Sequence, residues 1–381
     1  MYPTEAHRAV SRLGDSLPAG WRKAATSRIR NVSDGLPVEH PLDFDWRFTT
    51  TTAKELLDRC PASLRNRIVL LGAPSLVQVA ATREWLPKIS LIDRNVSMVK
   101  VITQAFPAVS ASNSDLVWGM PVQASNASVS ILDPPWYPEY IDAFLWAASR
   151  KTRVGGRIFL SAPPEGTRPG MPAERQKMLS AAESFGLRLK AVKAGAIAYR
   201  TPMFERNALT ASGFTSIPSD WRRGDLLEFA VDRKVELPRP TPPYSPEEWQ
   251  DASRGSVRFK IRLRPEGTFR DPRLTPATPG DMLATVSRRD LNRGAVDVWT
   301  SGNRVFRCDG TAILLIILTA LEQADESEEA VKRSIGRSLS SKEVSAVHQA
   351  AAQVTDLVRR EEREIADYGH RRNERGLVEA I

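Results

Sequence analysis

Between residues 47 and 233, short β-branched apolar runs alternate with helical stretches, and this alternation leaves few folds open. The runs are Arg67–Leu71, Lys88–Ile92, Ala108–Ser112, Ser128–Leu132, Arg157–Ser161, Leu187–Lys193 and Leu226–Val231, with helical windows such as 75–85, 96–105, 138–151 and 172–185 between them. Parallel strands need long crossovers, which helices supply while covering both faces of the sheet. The pattern therefore predicts an α/β domain with a doubly wound, mostly parallel sheet of seven strands. Ligands of such sheets bind beyond the carboxyl ends of the strands, so the segments that follow the runs carry the interest.

The rest of the chain is organised differently. Residues 1–46 read as a leader with helices near 4–14 and 19–32, and the leader has no apolar core of the signal-peptide kind. Residues 234–250 hold Pro238, Pro240, Pro242, Pro243 and Pro246, a density suited to an extended linker. Residues 251–381 read as a smaller α+β domain, a place for substrate recognition. In it 254–264 alternates apolar and basic residues as a half-exposed strand would, and Val296–Thr300 and Arg304–Cys308 form a hairpin around Ser301-Gly302-Asn303. Helices are expected over 310–323, 326–338 and 341–368. A length of 381 residues exceeds the ~100–200 usual for one domain, in agreement with this division.

Composition limits the partners. Two cysteines, Cys60 and Cys308, lie far apart, so neither a disulfide framework nor a metal site is expected, and a reducing cytoplasm fits. The apolar run Ala312–Leu318 is far shorter than the ~20 residues of a membrane span. The formal charge of +9 favours an anionic partner, nucleic acid before others. The excess is uneven: 12 Lys/Arg against 6 Asp/Glu over 251–307, then 10 against 14 over 308–381. A groove-facing basic surface in the β-rich half and a plain solvated strand face both fit that distribution. Spacing leaves the oligomeric state open, because helix 341–368 can pair with another chain or pack on its own domain.

The sharpest local feature is SILDPPWYPEY, residues 130–140. Asp133 ends the fourth apolar run, and two prolines force the chain out of the sheet in a fixed extended form. One carboxylate, nearby backbone carbonyls and an aromatic face then share a small volume. That set suits methylation of an amino group. The Asp133 carboxylate and the Pro134 carbonyl accept the nitrogen's hydrogens, Pro135 fixes the turn, and Trp136 stacks on a planar acceptor. The plainer alternative is a strand-terminating Asp-Pro turn. Asp93, which ends the second run, suits the ribose diol of a nucleotide-like cofactor, or else caps a helix. His7, His40, His348 and His370 fall outside this centre.

Asp133-Pro134-Pro135-Trp136 resembles motif IV, (D/N)PP(Y/F/W), of adenine-N6 and related amino-methyltransferases. DWRFTTTTAKELL (45–57) followed by RIVLLGAPSL (67–76) resembles the probable N6-adenine methyltransferase family, which includes lysine methyltransferases acting on an elongation factor. The resemblance covers 45–233 and implies a class I, Rossmann-like fold with S-adenosylmethionine as cofactor. It implies direct in-line transfer to nitrogen, with neither covalent intermediate nor metal. Leu71, Gly72, Ala73, Pro74 and Ser75 occupy the cofactor turn, which departs from the family in holding one glycine; Ser75 is suited to cap the next helix. Asn113 or Asp115 is placed for the adenine of the cofactor, with a plain turn as the alternative. Trp46, Arg47, Phe48 and Thr49 resemble the stretch bordering its methionine end, although core packing also suits Trp46 and Phe48. Tyr137 and the Arg200, Phe204 and Arg206 segment sit where substrate enters, or form ordinary loops. Three functions follow: methylation of adenine N6 in DNA or RNA, methylation of a protein lysine, or a non-catalytic nucleic-acid-binding scaffold. Trp136 departs from the phenylalanine associated with the lysine enzymes.

Overall fold

The computed structural model describes residues 35–378 except 65–66, 120–124, 243, 246 and 264–268, and only the helical backbone of 369–378. The leader helices expected near 4–14 and 19–32, together with Pro243 and Pro246, lie outside the described residues. Two compact units emerge. One comprises Asp43–Pro202 and Pro218–Pro246; the other joins the described part of Met1–Leu42 to Met203–Ile217 and Glu247–Ile381.

The first unit begins with α1 (Thr50–Asp58), β1 (Ile68–Leu71), α2 (Ser75–Ala81), β2 (Ile89–Asp93), α3 (Val96–Ala105) and β3 (Ser110–Asn113). It continues through β4 (Ala127–Leu132), α4 (Pro138–Lys151), β5 (Thr152–Ala162), α5 (Met171–Ser184) and β6 (Leu187–Ala198). After α6 (Met203–Ala211), which belongs to the second unit, β7 (Arg223–Val231) completes the sheet. The strand order is β3-β2-β1-β4-β5-β7-β6, with β7 antiparallel to both neighbours and the other strands parallel. This is the Rossmann-like, doubly wound sheet that the alternation predicts.

Burial explains which strands sit in the middle. All of β1 and β4 is buried, so both read as continuous apolar runs, whereas edge strand β3 is largely exposed. The chain leaves β1 through β2 and β3, then returns to β4 on the other side of β1. The crevice beyond β1 and β4 is therefore the topological switch point, where such sheets bind ligands. One apolar layer beneath it packs Leu132, Phe144, Leu145, Ile158 and Leu160 together.

α6 groups with the second unit although the sequence assigns 47–233 to one domain. Asn207 Nδ2 donates to the Gly302 carbonyl at 2.8 Å and Ser212 Oγ to the Ala284 carbonyl at 2.7 Å, which ties the segment there. The second unit also contains β8 (Gln250–Arg254), β9 (Val257–Ile261), β10 (Thr275–Pro276), β11 (Val298–Thr300), β12 (Val305–Arg307), α7 (Thr311–Gln323), α8 (Ser327–Ile335) and α9 (Ser341–Val378). Its sheet, β10-β12-β11-β9-β8, is antiparallel, and α7 packs between the sheet side and α8 and α9. Among the described residues, no helix is long and apolar enough to cross a membrane.

Two expectations for this half need correction. The run 254–264 is not one strand, because Gly255 at φ +58° and Ser256 turn it back between β8 and β9. Nor is it half-exposed: every residue of β9 is buried, Arg258 and Lys260 included. Arg258 donates to the Val38 carbonyl at 3.0 Å, and both basic groups pair with Asp251. Arg293 and Arg304 are buried as well, against Glu247 and Asp281 respectively. Four of the basic side chains that suggested a groove-facing surface therefore point inward.

The 301–303 turn is built as expected, and it holds a buried carboxylate. Gly302 N donates to Glu361 Oε2 at 3.0 Å, the Thr300 hydroxyl bonds Oε1, and desolvation pushes the Glu361 carboxyl up to about 7. A Cβ on Gly302 would lie 2.6 Å from Glu361 Cδ, which is completely buried and has nowhere to withdraw. Gly302→Ala should consequently destabilise the chain by about 1–3 kcal/mol, read as a lower urea midpoint. A midpoint equal to wild type would mean that Glu361 relaxes freely.

Candidate active site

The ends of β1, β2 and β4 are tied together at the switch point. Gly72 N donates to the Ile92 carbonyl at 2.9 Å, and Asp133 N donates to the Leu71 carbonyl at 3.0 Å. Gly72 has φ +62°, and a Cβ there would meet Phe144 Cε1 at 3.0 Å and the Asp133 carbonyl at 3.1 Å. Only glycine meets both the backbone angle and the space. The single glycine of this turn thus stands where a missing Cβ matters most.

A cleft of about 600 Å³ opens beyond these ends. Gly72 and Pro74 form one wall, Asp93, Asn95 and Met98 another, and Ser114, Asp115 and Leu116 a third. Asp133, Pro135, Tyr140 and Phe144 line it from the β4 side, and Asp43, Phe44, Asp45 and Trp46 from the entering segment. Five carboxylates and one guanidinium, that of Arg94, therefore face the same space.

The carboxylates differ in what holds them. Asp45 accepts both Nε (3.2 Å) and Nη2 (2.9 Å) of buried Arg47, a bidentate pair. Asp43 accepts Asn95 Nδ2 at 3.0 Å. Asp115 Oδ1 accepts the backbone N–H groups of Val117 (2.8 Å) and Trp118 (3.1 Å), and its Oδ2 is 3.9 Å from Arg94. Asp93 accepts Asn95 N at 2.8 Å, and desolvation, aided by Asp45 and Asp43, pushes its carboxyl up to about 7. It does not cap α3; Asn95 does, through Met98 N at 3.1 Å.

Asp133 receives the hydroxyl of Tyr199 on Oδ1. Desolvation raises its carboxyl well above the usual range, Tyr199 opposes that rise, and Asp45 and Asp93 add to it. The following residues divide between support and lining: Pro134 is buried, Pro135 faces the cleft, and the Trp136 ring meets Tyr199 edge-on at 5.7 Å. Trp136 sits over Gly224, where a Cβ would approach it to 2.8 Å. The Arg222 guanidinium lies 3.7 Å from the centroid of the Trp46 ring and 5.4 Å from that of Trp136. Arg168 also reaches the Trp136 carbonyl, at 3.2 Å.

The site residues expected from sequence separate accordingly. Trp46, Gly72, Pro74, Asp93, Asp115, Asp133 and Pro135 meet in one cleft, and Trp136 stands beside it rather than in its lining. Leu71, Ala73 and Ser75 are buried behind it, and Pro74 rather than Ser75 holds the cap position of α2. Asn113 turns back to the carbonyls of Asp93 (3.2 Å) and Arg94 (2.9 Å), so it braces the turn. Phe48 is buried against Tyr199, and Thr49 caps α1 through Thr52 N at 3.2 Å. Tyr137 is half-buried near Phe44, and half-buried Arg200 bonds the Arg47 carbonyl through its backbone N at 2.8 Å. Phe204 is completely buried, and Arg206 lies 5.9 Å from the Tyr368 ring, both within the second unit. Buried His40, outside the cleft, accepts Leu42 N at 3.1 Å and contacts the Trp299 carbonyl at 3.1 Å.

No family model matches the chain, and no curated protein matches it in sequence. Among solved structures, a branched-chain polyamine synthase mutein from Thermus thermophilus, in complex with N4-aminopropylspermidine and 5'-methylthioadenosine, is 15% identical with a TM-score of 0.45. The match covers 58% of this chain and 64% of that one, so this chain spans less than two thirds of the synthase. Geranyl diphosphate C-methyltransferase from Streptomyces coelicolor, with Mg2+, geranyl diphosphate and S-adenosyl-L-homocysteine, is 11% identical (TM-score 0.35; 56% of this chain, 99% of that one). The YcgJ protein of Bacillus subtilis is 12% identical (TM-score 0.37; 49% and 100%). What those proteins bind belongs to them; the fold assignment above stands on this chain's own strand order.

Proposed function

We propose that this chain is an S-adenosylmethionine-dependent N-methyltransferase, with adenine N6 of nucleic acid as its acceptor. One observation carries the reading: Gly72, Asp93, Asp115 and Asp133, from the ends of four different strands, converge on a single cleft at the switch point. When bound, S-adenosylmethionine supplies an electrophilic methyl group on a sulfonium.

The residues fit that group. Carboxylates on every side suit its positive charge, and the Cβ-free edge at Gly72 allows close backbone approach. Asp93 and Asp115 offer acceptors to ribose and adenine. At the other end, Asp133 accepts an N–H of the incoming amine and keeps the nitrogen lone pair directed at the methyl carbon. Trp46, which lines the cleft under the Arg222 guanidinium, and Trp136 beside it offer a planar acceptor aromatic surface, and a duplex base would have to leave its stack to arrive there. Positioning and exclusion of water provide the rate enhancement.

A second acceptor class has its own support. Five carboxylates against one arginine favour a cation, which a lysine amine is and a phosphodiester is not. The inward turn of Arg258, Lys260, Arg293 and Arg304 also removes charges that would grip a strand. Transfer of labelled methyl to DNA, RNA and protein pools, with Asp133→Ala as control, separates the cases. N6-methyladenine lost in the variant supports the first reading, and methyl-lysine supports the second. No transfer to any pool and no cofactor binding by calorimetry would overturn the enzyme reading in favour of a scaffold.

The elevated Asp93 carboxyl gives this reading a pH signature. Its ionised form is the stronger acceptor for ribose hydroxyls, so cofactor affinity should rise as pH climbs through about 7, and Asp93→Asn should flatten that rise. The stability sign is opposite: the folded value lies above the unfolded one. The contribution of Asp93 to the ligand-free chain is thus full below ~4 and lost as pH rises through about 7. Calorimetry across that window that finds equal slopes for wild type and Asp93→Asn would rule out the ribose role.

A further inference from the structure

We infer that Tyr199, itself held by Ser161, is the positioning residue of Asp133, fixing one carboxylate oxygen so that the other meets the acceptor nitrogen. This rests on the methyltransferase reading and deepens it. Tyr199 lies 66 residues beyond Asp133, just past the end of β6, and its side chain is almost completely buried. Its ring is clamped between Phe48 at 5.1 Å and Trp136 at 5.7 Å, and its backbone N donates to the Arg222 carbonyl at 3.1 Å. A phenol held this firmly presents its oxygen at one place.

The direction of the hydrogen bonds follows from proton count. Tyr199 Oη contacts both Asp133 Oδ1 and Ser161 Oγ. The bond runs from the phenol hydroxyl to Asp133 Oδ1, a carboxyl oxygen that accepts, so Tyr199 donates to Asp133. The Ser161 hydroxyl, buried on β5, then donates to the phenol oxygen. The result is a three-member chain, Ser161 to Tyr199 to Asp133, that ends on the carboxylate beside the proposed transfer point. Trp136, the proposed stacking surface beside the cleft, meets the same phenol ring edge-on, so one residue braces both the acceptor oxygen and that surface.

The surrounding charges make this donor matter. Asp45 and Asp93 face Asp133 and oppose its ionisation, as burial does, whereas Tyr199 favours it. Burial, with the Asp133 charge adding to it, holds the phenol well above its usual range, and Arg222 opposes that rise. Tyr199→Phe preserves the ring and its packing while removing the one donor. A purely structural tyrosine would leave the titration of Asp133 where it is.

The test is a carboxyl-carbon NMR titration of Asp133 in wild type and Tyr199→Phe, paired with the pH profile of kcat/KM. The Asp133 midpoint should move to higher pH by about one unit, with the acid limb of kcat/KM moving alongside it. Near neutral pH, kcat should fall by about tenfold or more, with cofactor KM changed less than about threefold. Ser161→Ala should shift the midpoint in the same direction by less. If Tyr199→Phe does not fold, the Ser161→Ala midpoint decides. An unmoved midpoint overturns the inference whether or not wild type transfers methyl; a moved midpoint in a protein that transfers nothing upholds the hydrogen-bond chain and rejects the methyltransferase reading.

Discussion

Gly72→Val is expected to lower cofactor affinity by at least ~100-fold, or ~3 kcal/mol, with the fold retained. Two separate costs combine. At φ +62° a side chain costs ~1–2 kcal/mol, and a β-branched one more. The new Cβ then presses on Phe144 Cε1 at 3.0 Å and on the Asp133 carbonyl at 3.1 Å, and the valine methyls project beyond it. Phe144 is the fourth residue after Tyr140 on α4, and both face the cleft. Relief therefore comes by moving the cleft wall or by parting the ends of β1 and β4, and either closes space the cofactor needs. Gly72→Ala should show a smaller loss, of about tenfold. Circular dichroism should remain native in both, while calorimetry with S-adenosylmethionine or S-adenosylhomocysteine reads the affinity. Wild-type affinity in the valine variant would show that the ligand does not approach this turn, and the cofactor reading would fall with it.

The sheet was legible because its central strands are buried on both faces. Such strands read as continuous apolar runs, and β4 ends where the Pro-Pro pair forbids further pairing. Those two facts locate Asp133 at the switch point without any tertiary knowledge. Asp93 was legible for the same reason, since it closes the buried run of β2. Tyr199 was not. It meets Asp133 only because β6, β7 and β5 lie side by side, and no local pattern encodes that order. In the entering segment the sequence points to 46–49, of which Trp46 lines the cleft while Thr49 caps α1; Asp43, Phe44 and Asp45, just upstream, carry no local signal.

The basic-aromatic segment after β6 misled in a different way. Arg200, Phe204 and Arg206 look like a surface for bases when read as a loop. In fact Met203, Phe204, Glu205 and Ala208 form the buried face of α6. A short helix that buries an aromatic beside a half-buried arginine has the composition of a nucleic-acid loop. The 254–264 run misled likewise. Period-two alternation of apolar and basic residues marks an amphipathic strand only if the basic face meets water, and here Arg258 and Lys260 are buried and paired with the half-exposed Asp251 on neighbouring β8. Burial of paired charges is invisible to periodicity.

Asp133→Asn is expected to reduce kcat by about 10²–10³ while changing cofactor affinity only a few-fold. The substitution keeps the shape and removes the charge, but the decisive change is in donors and acceptors. An asparagine has one acceptor oxygen where the aspartate has two. If that oxygen takes the Tyr199 hydroxyl, the amide NH2 faces the acceptor amine, and donor meets donor. If the amide flips, its NH2 meets the Tyr199 hydroxyl, which must reverse to donate to Ser161 Oγ, and the serine proton then loses its phenol acceptor. Either orientation leaves one polar contact broken inside a desolvated pocket, where that costs most. Asp93 and Asp115 hold the far end of the cleft and are untouched, which is why binding should survive. A loss confined to kcat is what an interaction made mainly in the transition state predicts. Were Asp133 only the residue that ends a strand before two prolines, asparagine would serve almost as well, and a kcat within about threefold of wild type would return DPPW to the status of a turn.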